Sequence, residues 1–142
     1  EKELKEFSIL YLITNNLDVF RKNIEIISEI KFSSNLIEEF KQKLVEYLLS
    51  ERFFDRKVLN IDDFDDKFKN IINLVYTNAP IKIISKNKSE EKIIVMFNEI
   101  INEIKKIELN QKIESLESKI SLNLDEKLYS ELLSLRNQLK SG

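Results

Sequence analysis

The chain has no cysteine and no histidine, and it carries a single glycine and a single proline. Without cysteine there is neither a disulfide nor a thiolate metal site. Without histidine the commonest general base and the commonest transition-metal ligand are missing. Sheet turns and phosphate-cradling loops draw on glycine for unusual backbone angles, and the one glycine here is the terminal Gly142. No stretch approaches the roughly 18 uncharged apolar residues of a membrane span. The opening does not read as a secretory leader either, so the expected location is the cytoplasm. An excess of charge of one sign is lacking as well: 23 basic residues face 25 acidic ones, a net charge of −2. Nucleic-acid-binding domains are usually clearly basic, because phosphate neutralisation carries much of their affinity. Direct nucleic-acid binding is therefore not expected.

What is present is a chain of 142 residues, 42% hydrophobic and 34% charged. That length suffices for a core without covalent staples, and the glycine-poor composition makes all-α the expected class. Opening on Glu1 rather than Met, the chain reads as a piece of something longer.

From Phe7 to Ile13 only Ser8 interrupts the apolar residues, which predicts a central helix buried on every side. A second helix is expected from about Asp18, with Val19, Phe20, Ile24 and Ile27 on one face. Ser33, Ser34 and Asn35 form a helix-start cluster, and the following helix, 35–50, is expected to bury Leu36, Phe40, Leu44, Tyr47 and Leu48. The crowded acids Asp62, Asp63, Asp65 and Asp66 suggest a metal loop at first sight. A calcium loop needs a central glycine and a carboxylate at its twelfth position, and the sixth position counted from Asp62 is Lys67. Helix capping is the better reading, with Asp62 as the cap of a helix through Phe64, Phe68, Ile71, Ile72 and Val75. Pro80 ends that helix, and "IKII", 81–84, is compatible with a short helix or an extended piece. Ser89 begins the longest helix and Asp125 begins the last one, 126–140.

The long helix changes its apolar face partway. Ile93, Phe97, Ile100, Ile104 and Ile107 recur in steps of four and three. The next member is due at 111, which is Gln111, and the stripe restarts at Leu109, Ile113, Leu116 and Ile120. Residues turn by about 100° each around a helix, so moving from Ile107 to Leu109 carries the stripe through roughly 200°. This predicts a helix shared by two packing units. Residues 1–108 would form a helical bundle subdomain. Residues 109–142 would form a C-terminal antiparallel helical hairpin subdomain, closed by the turn 121–125. Ile113, Leu116, Ile120, Leu128, Leu132, Leu135 and Leu139 would fill its seam.

Outside that seam lie Leu122, Leu124, Tyr129 and Leu133. Contiguous apolar surface on such an element marks a binding site. The segment 109–142 carries five basic and five acidic residues, and this neutrality suits a protein groove better than a phosphate backbone.

The order of these elements resembles the C-terminal, helicase-interacting domain of the bacterial replicative DNA primase. The likeness rests on "LKEFSILYLITNNLDVF", with the turn Asn16-Leu17-Asp18-Val19, on "IKFSSNLIEEFKQKL", on "LNQKIESLESKI" and on "LDEKLYSELLSLRNQLKSG". It spans essentially the whole chain through ordered weak similarities. The resemblance implies a bundle followed by a projecting hairpin that docks on the N-terminal domain of the replicative helicase. It also implies a second candidate partner, the acidic tail of the single-strand-binding protein. In the matching opening helix, Lys2 and Lys5 stand among Glu1, Glu3 and Glu6. The polymerising chemistry of such primases lies in other domains, so this segment is expected to be non-catalytic, with no cofactor and no metal, and monomeric in isolation. The expected partner-binding residues are Leu122, Leu124, Tyr129, Leu133, Arg136 and Lys140. Two alternatives share the pattern: the N-terminal domain of the helicase itself, which has the same family fold, and a structural, self-associating helical scaffold.

Overall fold

A computed structural model describes residues 1–80, 88–122 and 125–141, with only the backbone of Leu122. Accordingly, "IKII", Leu124 and the side chain of Leu122 lie outside the described residues. The fold is all-α, with helices α1 (Lys2–Asn15), α2 (Leu17–Lys22), α3 (Ile24–Ser28), α4 (Asn35–Leu49), α5 (Asp66–Asn78), α6 (Glu90–Leu122) and α7 (Glu126–Ser141). Two short 3₁₀ turns, Glu51–Phe53 and Ile61–Asp63, lie between α4 and α5. The chain divides into two compact units, Glu1–Ile100 and Ile101–Gly142. The stripe change at 107–109 falls inside the second unit and does not interrupt α6.

In the first unit α1 is the axis. Ile9, Leu10, Leu12 and Ile13 are fully buried, and α1 packs against both α5 and α2. Around it gather Phe20, Phe40, Phe68 and Phe97, all fully buried. Phe20 lies 5.1 Å from Phe97 between ring centroids, and Phe40 lies 5.8 Å from Phe68. Tyr11 meets Tyr76 edge to face at 5.8 Å.

Helices must end without glycine here, and asparagine side chains take over the task. Asn15, Asn16 and Asn23 donate their side-chain amides to the carbonyls of Tyr11, Leu12 and Val19, at 2.9, 2.9 and 2.7 Å. The Asn16 and Asn23 bonds satisfy carbonyls of the last helical turn, because the Asn16 and Asn23 backbone amides turn to Ile13 and Phe20 instead. Asn23 thereby divides the expected single helix from Asp18 into α2 and α3. Phe20 and Ile27 are both fully buried, but Val19 and Ile24 are only half-buried.

Polar groups pin the turns. The buried Glu6 accepts from the Ser33 backbone amide at 3.0 Å and from its hydroxyl at 2.9 Å. Glu38 accepts from the Phe32 amide and pairs with Lys41, which donates to the Ile30 carbonyl at 2.7 Å. The residues after α4 wind around one guanidinium. Arg21 donates to the carbonyls of Leu48, Phe53 and Arg56 and lies over the Phe54 ring. The Leu59 amide donates to the Thr14 carbonyl at 2.8 Å, which ties this segment to the end of α1.

Two register readings are corrected. Ser34 does cap α4, accepting from the Ile37 amide at 3.1 Å. Leu36, however, is exposed and Ile37 takes the buried place ahead of Phe40, Leu44, Tyr47 and Leu48; both residues stand at helical spacing from Phe40, and packing selects Ile37. Asp62 does not cap α5: it lies in a 3₁₀ turn where its amide donates to the Asn60 side chain, and α5 begins only at Asp66. Phe64 therefore precedes α5, its ring 5.5 Å from Phe40 and 4.9 Å from Tyr47. α5 ends at Asn78, with Ala79 extended ahead of Pro80 as the proline ring demands.

Candidate partner-binding surface

The second unit is built on one apolar cluster. Ile113 and Leu116 of α6 and Leu132 of α7 are buried together, with Leu109, Ile120, Leu128, Leu135 and Leu139 partly buried against them. The helices run in opposite directions along it. Ile120 and Tyr129 line one hollow and Leu109 and Leu139 line another. Asp125 starts α7 by accepting from the Lys127 amide at 2.9 Å, and an acid at that end also complements the helix dipole. These side chains occupy the seam that the four-three spacing predicts.

The expected binding residues are placed unevenly. Tyr129 and Leu133 are 53% and 43% exposed, while Leu132 between their turns is 3% exposed. Arg136 pairs with Glu117 across the two helices, tying α7 to α6. Lys140 is exposed on the last turn of α7. Tyr129 lies with Ile120, Asp125, Glu126 and Ser130 around a hollow of about 550 Å³. Leu133 belongs to a larger groove of about 990 Å³, whose other wall is Lys105, Glu108, Leu109 and Lys112. Among the described residues Arg136 and Lys140 line neither hollow. The structure thus gives Tyr129 and Leu133 separate settings and leaves Arg136 engaged within its own unit.

Apolar spacing alone does not reveal this groove, although its residues recur at helical intervals. Lys105, Leu109 and Lys112 follow one face of α6. Ser130, Leu133, Ser134, Asn137 and Ser141 follow one face of α7. A groove between two helices has two separate sequence stripes, and neither stripe is apolar enough to stand out by itself.

The titratable cluster with the largest perturbation lies elsewhere, in the first unit. The Tyr47 hydroxyl donates to Asp63 at 2.6 Å, and Arg56 Nε donates to the same carboxylate oxygen at 3.1 Å. Burial, together with the adjoining Asp63 carboxylate, pushes Tyr47 up to about 12. Burial alone would raise Asp63, but the Tyr47 hydroxyl and the Arg56 guanidinium outweigh it and hold the carboxyl below its ordinary value. Tyr47 stacks on Phe53 at 4.3 Å. Each member has an internal partner, and the cluster fastens the 51–64 segment to α4. Among the described residues, no group of acids is arranged to hold a metal ion, and no helix is long and apolar enough to cross a membrane.

Compared with protein-family models, characterised proteins and solved structures, the chain shows no match.

Proposed function

We propose that this chain is a protein-binding domain that attaches a DNA primase to the replicative helicase and so couples primer synthesis to the replication fork. The observation that carries the reading is the second unit. Two helices share a small closed seam while Tyr129 and Leu133 stand outside it, beside open hollows. Large apolar side chains exposed next to concave surface are characteristic anchors of a protein interface. The ordered resemblance of the sequence to the primase domain supplies the identity of the partner. On this reading the domain is a non-catalytic cytoplasmic adaptor whose anchors are Tyr129 and Leu133. Arg136 is engaged with Glu117 of α6, and Lys140 is a rim charge.

The test is calorimetric titration of the chain against the N-terminal domain of the replicative helicase from the same genome. The expected result is saturable binding, weakened at least tenfold by Leu133→Ala or Tyr129→Ala with helicity unchanged. Absence of binding by the folded wild-type chain would overturn the proposal.

A further inference from the structure

Three lysines border the groove between α6 and α7 and its continuation along α6. Lys105 and Lys112 line the larger part, and Lys105 and Lys106 line an adjoining hollow of about 250 Å³ with Leu109 and Gln138. All three are exposed, and none makes an ion pair or a side-chain hydrogen bond among the described residues. Lys22, Lys41, Lys43, Lys67 and Lys69 pair with carboxylates, whereas the three groove lysines are left for an incoming anion. One carboxylate, Glu108, shares the wall, so the rim has a local excess of positive charge within a neutral lobe.

The opposite wall has a different chemistry. α7 contributes Leu133 flanked by Ser130, Ser134 and Ser141, with Asn137 and Gln138 beside them. Small side chains at helical spacing leave a channel into which the ridge of a third helix fits. The floor is apolar where Leu109 faces the groove from α6 and Leu133 from α7. Lys105 and Lys112 are two turns apart on α6, about 10 Å along the axis, which is the spacing of acidic residues seven apart on a helix lying alongside.

We infer that this groove receives an acidic amphipathic helix of the partner protein, laid between α6 and α7 as a third helix. This rests on the docking function proposed above and specifies the chemistry of what docks. Apolar residues of the incoming helix would cover Leu109 and Leu133, and its flanking carboxylates would face Lys105, Lys106 and Lys112. A nucleic-acid strand fits the groove less well. The α7 wall carries no cation, no aromatic ring lines the groove for base stacking, and the apolar floor would face phosphate.

The experiment uses the full chain and three probes: the helicase N-terminal domain, a labelled peptide helix of about five turns with leucines along one face and glutamates on either side, and a single-stranded oligonucleotide. A basic version of the peptide, with lysine for glutamate, is the control. The groove reading expects the acidic peptide to bind and the basic one not to, with K105E/K106E/K112E weakening the acidic peptide at least tenfold and flattening its salt dependence. Ser134→Trp, which fills the channel without changing charge, should weaken it comparably, with helicity retained in both variants. Equal binding of the two peptides, no binding of either, or an unchanged affinity in the triple variant would overturn the inference. So would binding of the oligonucleotide that the triple variant abolishes in the absence of peptide binding. If the helicase domain binds wild type and triple variant alike, the groove reading falls and docking stands. If the acidic peptide binds with the expected sensitivities but the helicase domain does not bind, the helicase assignment falls and the groove stands.

Discussion

Asp63 shows how far a side chain's role can lie from its sequence neighbours. The run of acids from Asp62 to Asp66 reads locally as helix capping. The decisive contacts of Asp63 are with Tyr47 and Arg56, sixteen and seven residues back in the chain. Nothing in local spacing announces such pairs, since they exist only once α4 and the 51–64 segment are side by side. The pH consequences follow from the signs. A carboxyl held below its ordinary 3.8 contributes stability above that value, and the contribution is lost as pH falls through the lower folded value. A phenol raised to about 12 contributes stability that is complete below its ordinary 10.0 and is lost as pH rises towards 12. Asp63→Asn should therefore destabilise the protein at neutral pH by about 1–2 kcal/mol, the scale of a weakened charge-assisted hydrogen bond. Its deficit relative to wild type should shrink below about pH 4, the ordinary carboxylate range. Urea midpoints measured across the acid range check this, and a deficit independent of pH would contradict it. The same substitution should lower the Tyr47 titration without returning it to 10.0, because burial remains the larger cause. Tyrosinate absorbance, with Tyr47→Phe as the blank, gives that value. Ser34 is a simpler case, in which a local signal suffices. Its hydroxyl holds the Ile37 amide, and Ser34→Ala should cost about 1 kcal/mol in a thermal or urea melt.

At the scale of elements, apolar periodicity made much of the molecule legible. The buried face of α1, the cap at Ser34, the starts at Ser89 and Asp125 and the seam of the second unit all follow from spacing and capping chemistry. Ser89, for instance, accepts from the Lys92 amide at 3.3 Å. The misplacements have physical causes. Asn23 ends α2 by bonding back to Val19, a competition between side chain and ladder that periodicity does not weigh. Leu36 and Ile37 are adjacent and equally apolar, so only packing decides which one is buried. The seam offers a sharp test because Leu132 and Leu133 are neighbours of identical chemistry. Leu132 is 3% exposed and Leu133 is 43% exposed. Leu132→Ala removes packed methyl groups from the small cluster and should cost about 2–5 kcal/mol locally, seen as lost helicity or early melting of α7. Leu133→Ala should change stability by less than about 0.5 kcal/mol while weakening partner binding. Equal loss of helicity in the two variants would remove the distinction between seam and anchor on which the docking surface depends.

Taken whole, the chain distributes its core unequally between its two units. α1 alone buries Phe7, Ile9, Leu10, Leu12 and Ile13, whereas α7 has Leu132 as its one buried residue among those described. The cluster around Leu132 is small, and helices of this length are marginal unless packing holds them. Capping by Asp125 and the pair between Glu117 and Arg136 add to α7, but an exposed ion pair contributes little. Regions with few buried apolar contacts open by local fluctuation at lower free energy than the core. Native-state hydrogen exchange should therefore show the central amides of α7 exchanging through openings well below the global unfolding free energy, while those of α1 exchange close to it. A partner helix bound beside Leu133 would cover apolar surface on α7 and stabilise the closed form in proportion to its occupancy, so the α7 amides should slow selectively on complex formation. If α1 and α7 exchange with equal protection in the free chain, the second unit is not the weaker element. A partner would then find little to stabilise there, and selective slowing of α7 would lose its explanation.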